Sequence, residues 1–298
     1  MATEDDVVVA LAAVRARHTR PPKDPNKKYK YRMIRFDDLR PGTRPRYLVD
    51  GVIPRDGFVT AWGPPKCGKS FWIFDLMMHI ALGWEYRGRH VEEGPVAYLA
   101  FEGIEGFHDR AEAFRRTHAE ALERRIAFCR KYRLPEEIRF YFLGSNAKLV
   151  RDHKALIESI DGEMDDPPVA VVLDTLNRSI DGSESKDVDM GAYIAAAEVI
   201  CEEFDCVVII VHHCGIDGTR PRGHTSLGGA VDAQLAVKRN AAGAVSTASP
   251  MRPSSGNKSS TGQLDVRSGK NAYWNSFARR WSAMLRRRRG LCGPSLPL

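Results

Sequence analysis

Gly63-Pro64-Pro65-Lys66-Cys67-Gly68-Lys69-Ser70 fits the spacing G-x-x-x-x-G-K-[ST], a loop that wraps phosphate. Each fixed position has a chemical reason. Gly63 and Gly68 let the backbone bend and approach phosphate oxygens where a Cβ would clash. The amides of the turn and of the following helix N-terminus point at the anion. Lys69 can reach the β- and γ-phosphates, and the Ser70 hydroxyl can ligate Mg²⁺. Such a loop needs a strand before it and a helix after it. Gly57-Phe58-Val59-Thr60-Ala61-Trp62 supplies the first, rich in β-branched and aromatic residues. Residues 71–82 run without a breaker until Gly83 and supply the second. The stretch predicts binding of a nucleoside triphosphate.

Outward from the loop, short apolar runs bounded by turn signals read as buried strands. Residues 96–101 form one, closing in Glu102-Gly103. An acid at the C-terminal end of a parallel strand faces the crevice where α/β sheets bind ligands. Glu102 is therefore a candidate to orient and deprotonate an attacking water, or else a surface turn residue. Val169-Ala170-Val171-Val172-Leu173-Asp174 is a second such strand, and Asp174 is placed to hold the Mg²⁺ shell, usually through water. A third, residues 206–211, ends in His212-His213-Cys214. Adjacent strand residues point to opposite faces, so these three do not read as a zinc site. For His213 a γ-phosphate sensor and a structural hydrogen bond are both open. Further strands are expected at 138–143 and 230–239. Helices are expected at 108–133, 152–160 and 187–204, with a mobile loop over 218–229.

The 298 residues suit one sizeable α/β domain with appendages, and 43% apolar content suffices for a core. No run approaches the roughly 18 apolar residues of a membrane span. Glu4, Asp5 and Asp6 at the start do not read as a signal peptide. Six scattered cysteines without a C-x-x-C pair suit a reducing cytoplasm rather than a disulfide framework. The net charge of +7 is unevenly spread. Residues 240–298 carry ten Lys or Arg and one acid, Asp265, so the rest is nearly neutral. Bulk charge thus gives little support to nucleic-acid binding. The expected organisation is an accessory arm (1–45), a phosphate-loop domain (46–240) and a basic tail (241–298). The arm has a basic run at 23–32 with Tyr29 and Tyr31 interleaved, a pattern that can hold single strands by stacking and charge but reads better as a solvated linker. The tail lacks the apolar periodicity to offset its ordering entropy.

Alternating strands and helices, phosphate loop first, give a three-layer α/β domain with a mostly parallel sheet and helices on both faces. Residues 47–239 resemble the RecA-like ATPases of the plasmid RepA/DnaB helicase group, in the AAA-family subgroup of phages and mobile elements. The resemblance is carried by Leu48-Val49-Asp50-Gly51-Val52-Ile53-Pro54, the phosphate loop, Ala100-Phe101-Glu102-Gly103 and Val172-Leu173-Asp174-Thr175-Leu176. It continues in Val211-His212-His213, Arg222-Gly223-His224-Thr225-Ser226 and Gly229-Ala230-Val231-Asp232. It implies ATP and Mg²⁺ as ligands, Glu102 as catalytic base and His213 as sensor. Lys238 or Arg239 would reach a neighbouring subunit's nucleotide as a finger. The loop over residues 215–226 would line a central pore and touch single-stranded DNA, in a ring that is often hexameric. His224 stands where relatives typically show a small hydroxyl residue, and residues after about 241 do not follow the family's closing strands.

The leading expectation is an oligomeric Mg²⁺-dependent ATPase acting on single-stranded DNA like a helicase. A regulatory or recombinase-type RecA-like ATPase is the alternative. A small-molecule kinase is a third reading, disfavoured because no arginine-rich lid stands out between core strands.

Overall fold

In the computed structural model the described residues are 33–40, 47–215, 218–239, 245–249 and 262–264. The chain divides between residues 44 and 45. Of the first unit, residues 33–40 hold a short 3-10 turn, Phe36–Asp38. The basic run at 23–32 lies outside the described residues.

In the second unit β1 (Tyr47–Val49) and β2 (Ile53–Pro54) form a small antiparallel pair. The main sheet holds β3 (Gly57–Gly63), β4 (Val96–Ala100), β5 (Phe140–Gly144), β6 (Ala170–Asp174), β7 (Val207–His213) and β8 (Ala233–Arg239). These six run parallel in the order β8-β3-β7-β6-β4-β5. The helices are α1 (Lys69–Leu82), α2 (Glu105–Thr117), α3 (Ala119–Tyr132), α4 (Leu149–Glu163), α5 (Leu176–Ser179), α6 (Asp187–Phe204) and α7 (Ser226–Ala230). Among the described residues no helix is long and apolar enough to cross a membrane.

The period of two along each strand divides the core between the sheet's faces. Val59, Ala61, Tyr98, Val172, Ile209, Val211 and Leu235 pack under α1, with Trp72, Leu76, Met77 and Ile80. Phe58, Leu99, Val171, Leu173, Val208 and Ile210 face the other way, onto Leu156 and Ile160 of α4 and Met190, Tyr193 and Ile200 of α6. Both faces are covered, so the strands are continuous apolar runs rather than alternating ones. This is the three-layer RecA-like α/β fold.

Three expectations need correction. The single helix over 108–133 is two, α2 and α3, because His118 leaves helical dihedrals (φ −107°, ψ 18°) while its ring packs on Phe114 and Trp84. The loop over 218–229 is shorter, since α7 occupies its end and β8 begins at Ala233 rather than at 230. The stretch 245–298 is not wholly without strand structure. β9 (Val245–Ser249) pairs antiparallel with β8, and β10 (Gly262–Leu264) with β9. The backbone hydrogen bonds that β8 offers at its open edge are taken by β9, and the remaining tail lies outside the described residues.

Candidate nucleotide site

The C-terminal ends of β3, β7, β6 and β4 lie side by side in the sheet. The topology therefore gathers the phosphate loop, His213, Asp174 and Glu102 along one edge. The loop is a left-handed cradle: Gly68 has φ 101° and Lys66 has φ 59°. Cys67 N donates to Pro64 O at 3.3 Å, and α1 begins at Lys69 with its amides aimed along the loop. Pro64, Pro65 and Lys66 are exposed, whereas Cys67 and Lys69 are buried.

Gly63 is crowded from an unexpected side. A Cβ there would collide with the Val237 carbonyl oxygen. The same carbonyl accepts from the Cys67 thiol at 3.4 Å. The end of β8 is thus packed directly on the cradle, so close backbone approach within the fold already requires glycine at 63.

Lys69 Nζ donates to Gly63 O at 3.1 Å and Pro64 O at 3.0 Å, and lies 3.4 Å from His213 Nδ1. Burial pushes its pKa below the ordinary lysine value, opposed by the nearby Cys67, Asp174, Cys214 and Glu102. The ammonium is therefore held in place, partly desolvated, with both predicted acids in its field. Burial, and then the charge of Lys69, lowers the His213 pKa as well, which favours the neutral ring beside the lysine. His212 turns to the opposite face, where its ring Nε2 lies 2.6 Å from the Arg222 carbonyl oxygen. Strand pleating has separated the two histidines as expected.

Asp174 is 1% exposed. Its Oδ2 accepts from the Tyr98 hydroxyl at 2.6 Å, and the Ser70 hydroxyl lies beside both side chains. Oδ1 is buried and has no hydrogen-bond partner. Burial drives the carboxyl above its ordinary pKa, against these hydrogen bonds. Glu102 is half-exposed and paired with Arg178, Nε to Oε2 at 3.3 Å. Arg178 sits on α5, the turn that follows Asp174, and the Lys148 ammonium braces that turn through the Arg178 and Ile180 carbonyls at 2.7 and 3.1 Å. Glu102, Glu105, Lys148 and Arg178 border an open cleft of about 730 Å³.

Beyond β7 the chain makes a tethered excursion. Arg222 N donates to His213 O, and its guanidinium grips Glu184 bidentately at 2.7 and 2.8 Å. His224 N donates to Glu184 O, and a Cβ at Gly223 would strike that same carbonyl. His224 Nδ1 faces Ser226 Oγ at 3.0 Å and Asp187 Oδ1 at 3.1 Å. Thr219 and Arg220 stand exposed between these ties. Lys238 is exposed at the end of β8, while the Arg239 side chain lies outside the described residues.

A family model described as an AAA domain matches residues 25–219, more than half of the chain. This chain belongs to the AAA-domain family. Its matched span contains the whole cradle, Glu102, Asp174 and His213. Curated proteins yield no match. Among solved structures, a KaiC-like protein from the archaeon Pyrococcus horikoshii is similar at 10% identity and TM-score 0.45, over 69% of this chain and 82% of that one. A solved ATPase domain is similar at 13% identity and TM-score 0.46, over 65% and 81%. The RadB recombinase is similar at 16% identity and TM-score 0.40, over 66% and 81%. The fold assignment for this AAA domain rests on its own strand order rather than on these likenesses. Tyr98, Arg178 and Glu184 were not among the expected site residues. A tyrosine in an otherwise aliphatic strand, sharing strand parity with the C-terminal end, was the available signal for Tyr98.

Proposed function

We infer that this AAA domain is an oligomeric Mg²⁺-dependent ATPase that couples hydrolysis to action on single-stranded DNA. The observation that carries the reading is the gathering of the cradle, Asp174 and Glu102 at the ends of neighbouring strands, with Lys69 Nζ 3.4 Å from His213 Nδ1. In this mechanism Lys69 and the loop amides bind the β- and γ-phosphates. Glu102 aligns a water for in-line attack and takes its proton, so that ADP leaves as inorganic phosphate forms. Asp174 and Ser70 suit Mg²⁺: an unpartnered buried carboxylate oxygen and an adjacent hydroxyl are hard donors. When bound, Mg²⁺ supplies charge neutralisation on the phosphate oxygens. His213 reports the γ-phosphate to the backbone of Arg222, which its own carbonyl holds. Arg220 and Thr219 at the exposed tip meet the DNA backbone, and Lys238 or Arg239 serves a neighbouring copy's site in a ring, often a hexamer in proteins of this resemblance.

ATP turnover with and without single-stranded DNA tests this reading. The parent is expected to be stimulated by DNA, Glu102→Gln to lose turnover by a factor on the order of 10² or more, and Lys69→Ala to lose nucleotide binding. Turnover indifferent to DNA would select the regulatory ATPase instead. Phosphate appearing on a small acceptor would select a kinase.

A further inference from the structure

On the α1 face of the sheet, Tyr98 and Asp174 are diagonal neighbours. β4 and β6 pair with Tyr98 opposite Val172 and Ala100 opposite Asp174. The tyrosine therefore sits one pleat back from the carboxylate, on the same face. Ala100, between it and the strand end, has no side chain long enough to intervene. The Tyr98 hydroxyl spans the diagonal and donates to Oδ2 at 2.6 Å, a short charge-assisted bond. Both groups are closed to solvent, at 0% and 1% exposure. The ring is fixed as well, packed on Phe107 at 4.9 Å and Phe140 at 6.1 Å. A buried carboxylate has two oxygens, and here one is satisfied while Oδ1 has no partner. A buried orphan acceptor is costly, and it points to a ligand. The Ser70 hydroxyl, one residue past Lys69, lies beside both Tyr98 and Asp174.

We propose that Tyr98 is a positioning residue for the divalent-cation shell: by holding Oδ2 it fixes the Asp174 carboxylate plane and reserves Oδ1, together with Ser70, for the cation. This rests on the nucleotide-and-metal reading above. Removal of the hydrogen-bonded partner of a metal ligand typically weakens metal affinity about 10–100-fold, because the ligand must then be ordered at the moment of binding. The Tyr98 hydroxyl is spent on Asp174 Oδ2, so its loss is expected to act through the Asp174 carboxylate.

The test is the ratio of nucleotide affinities with excess Mg²⁺ and with EDTA, read with a fluorescent ATP analogue for wild type, Tyr98→Phe, Asp174→Asn and the double variant. Phenylalanine keeps the ring and its packing, and melting curves in EDTA check that each variant is folded. Tyr98→Phe is expected to lower the ratio about tenfold, leave the EDTA affinity within about twofold, and add nothing on top of Asp174→Asn. Manganese titration of the nucleotide-bound protein, followed by electron paramagnetic resonance, should show the same weakening without any turnover. A ratio in Tyr98→Phe equal to wild type, or a loss that adds fully to that of Asp174→Asn, overturns the inference while leaving the site reading intact. A wild-type ratio of one overturns both.

Discussion

Lys69 and Asp174 show the cost of assembling charge in advance. Each is buried, and burial moves each pKa toward its neutral form: Lys69 down, Asp174 up. For Asp174 the folded state then binds its proton more tightly than the unfolded state does. Stability falls as pH rises from the ordinary carboxylate pKa through the raised one, and the deficit persists at neutral pH. Asp174→Asn removes that charge while keeping an oxygen for Tyr98. The nucleotide-free variant is expected to melt higher by about 2–4 °C, on the order of 1 kcal/mol, and to lose its Mg²⁺-dependent nucleotide tightening. A lower melting temperature at neutral pH would refute this account of the buried acid. Glu102 contrasts with it. Half-exposed and tied to Arg178 by a single bond, it is free to exchange partners, because exposed pairs are worth about 1 kcal/mol or less.

At the scale of elements, the joint between α2 and α3 carries its own titration. His118 sits among Phe114 (4.3 Å), Trp84 (5.4 Å) and His79 (5.9 Å), and burial followed by the charge of His79 lowers its pKa to about 4. Below the ordinary histidine value the unfolded chain takes up a proton that the folded chain refuses. Stability present above about pH 6.5 is therefore lost as pH falls toward 4. His118→Phe is expected to flatten the decline of melting temperature across that interval and to leave values at pH 8 within a few degrees. An unchanged pH profile would show that the joint does not carry the titration. The break itself was illegible in the sequence, since residues 108–133 contain no glycine or proline before Arg133. It follows from where the ring of His118 packs. The loop after β7 illustrates the same limit. Its glycines and threonines read as mobile, yet Glu184, distant in sequence, ties Arg222 and His224 to the segment between α5 and α6.

For the whole molecule, the edge of the sheet matters most. β8 packs its Val237 carbonyl on the cradle and ends in Lys238 and Arg239, with β9 alongside. Far from the cradle in sequence, that end of β8 is near it in the fold, and a second copy is required before its cations serve another site. Light scattering should therefore show a rise in mass with Mg-ATP that Lys69→Ala fails to make. A mass equal to one chain at all nucleotide and protein concentrations would rule out the ring, and with it the action of Lys238 or Arg239 in trans.

The local sequence determined the phosphate cradle, the buried parallel strands and the acids that close them, because these depend on residue type within a few positions. Gly68 needs its left-handed backbone, apolar runs need two covered faces, and Asp174 follows its strand directly. Strand order, face and cross-strand register are long-range properties, and only the tertiary structure decided them. It set Val237 against Gly63, Arg178 against Glu102, and the Tyr98 hydroxyl against one oxygen of Asp174. Such contacts join residues up to about 170 positions apart, and no local pattern encodes which hydroxyl will face which carboxylate.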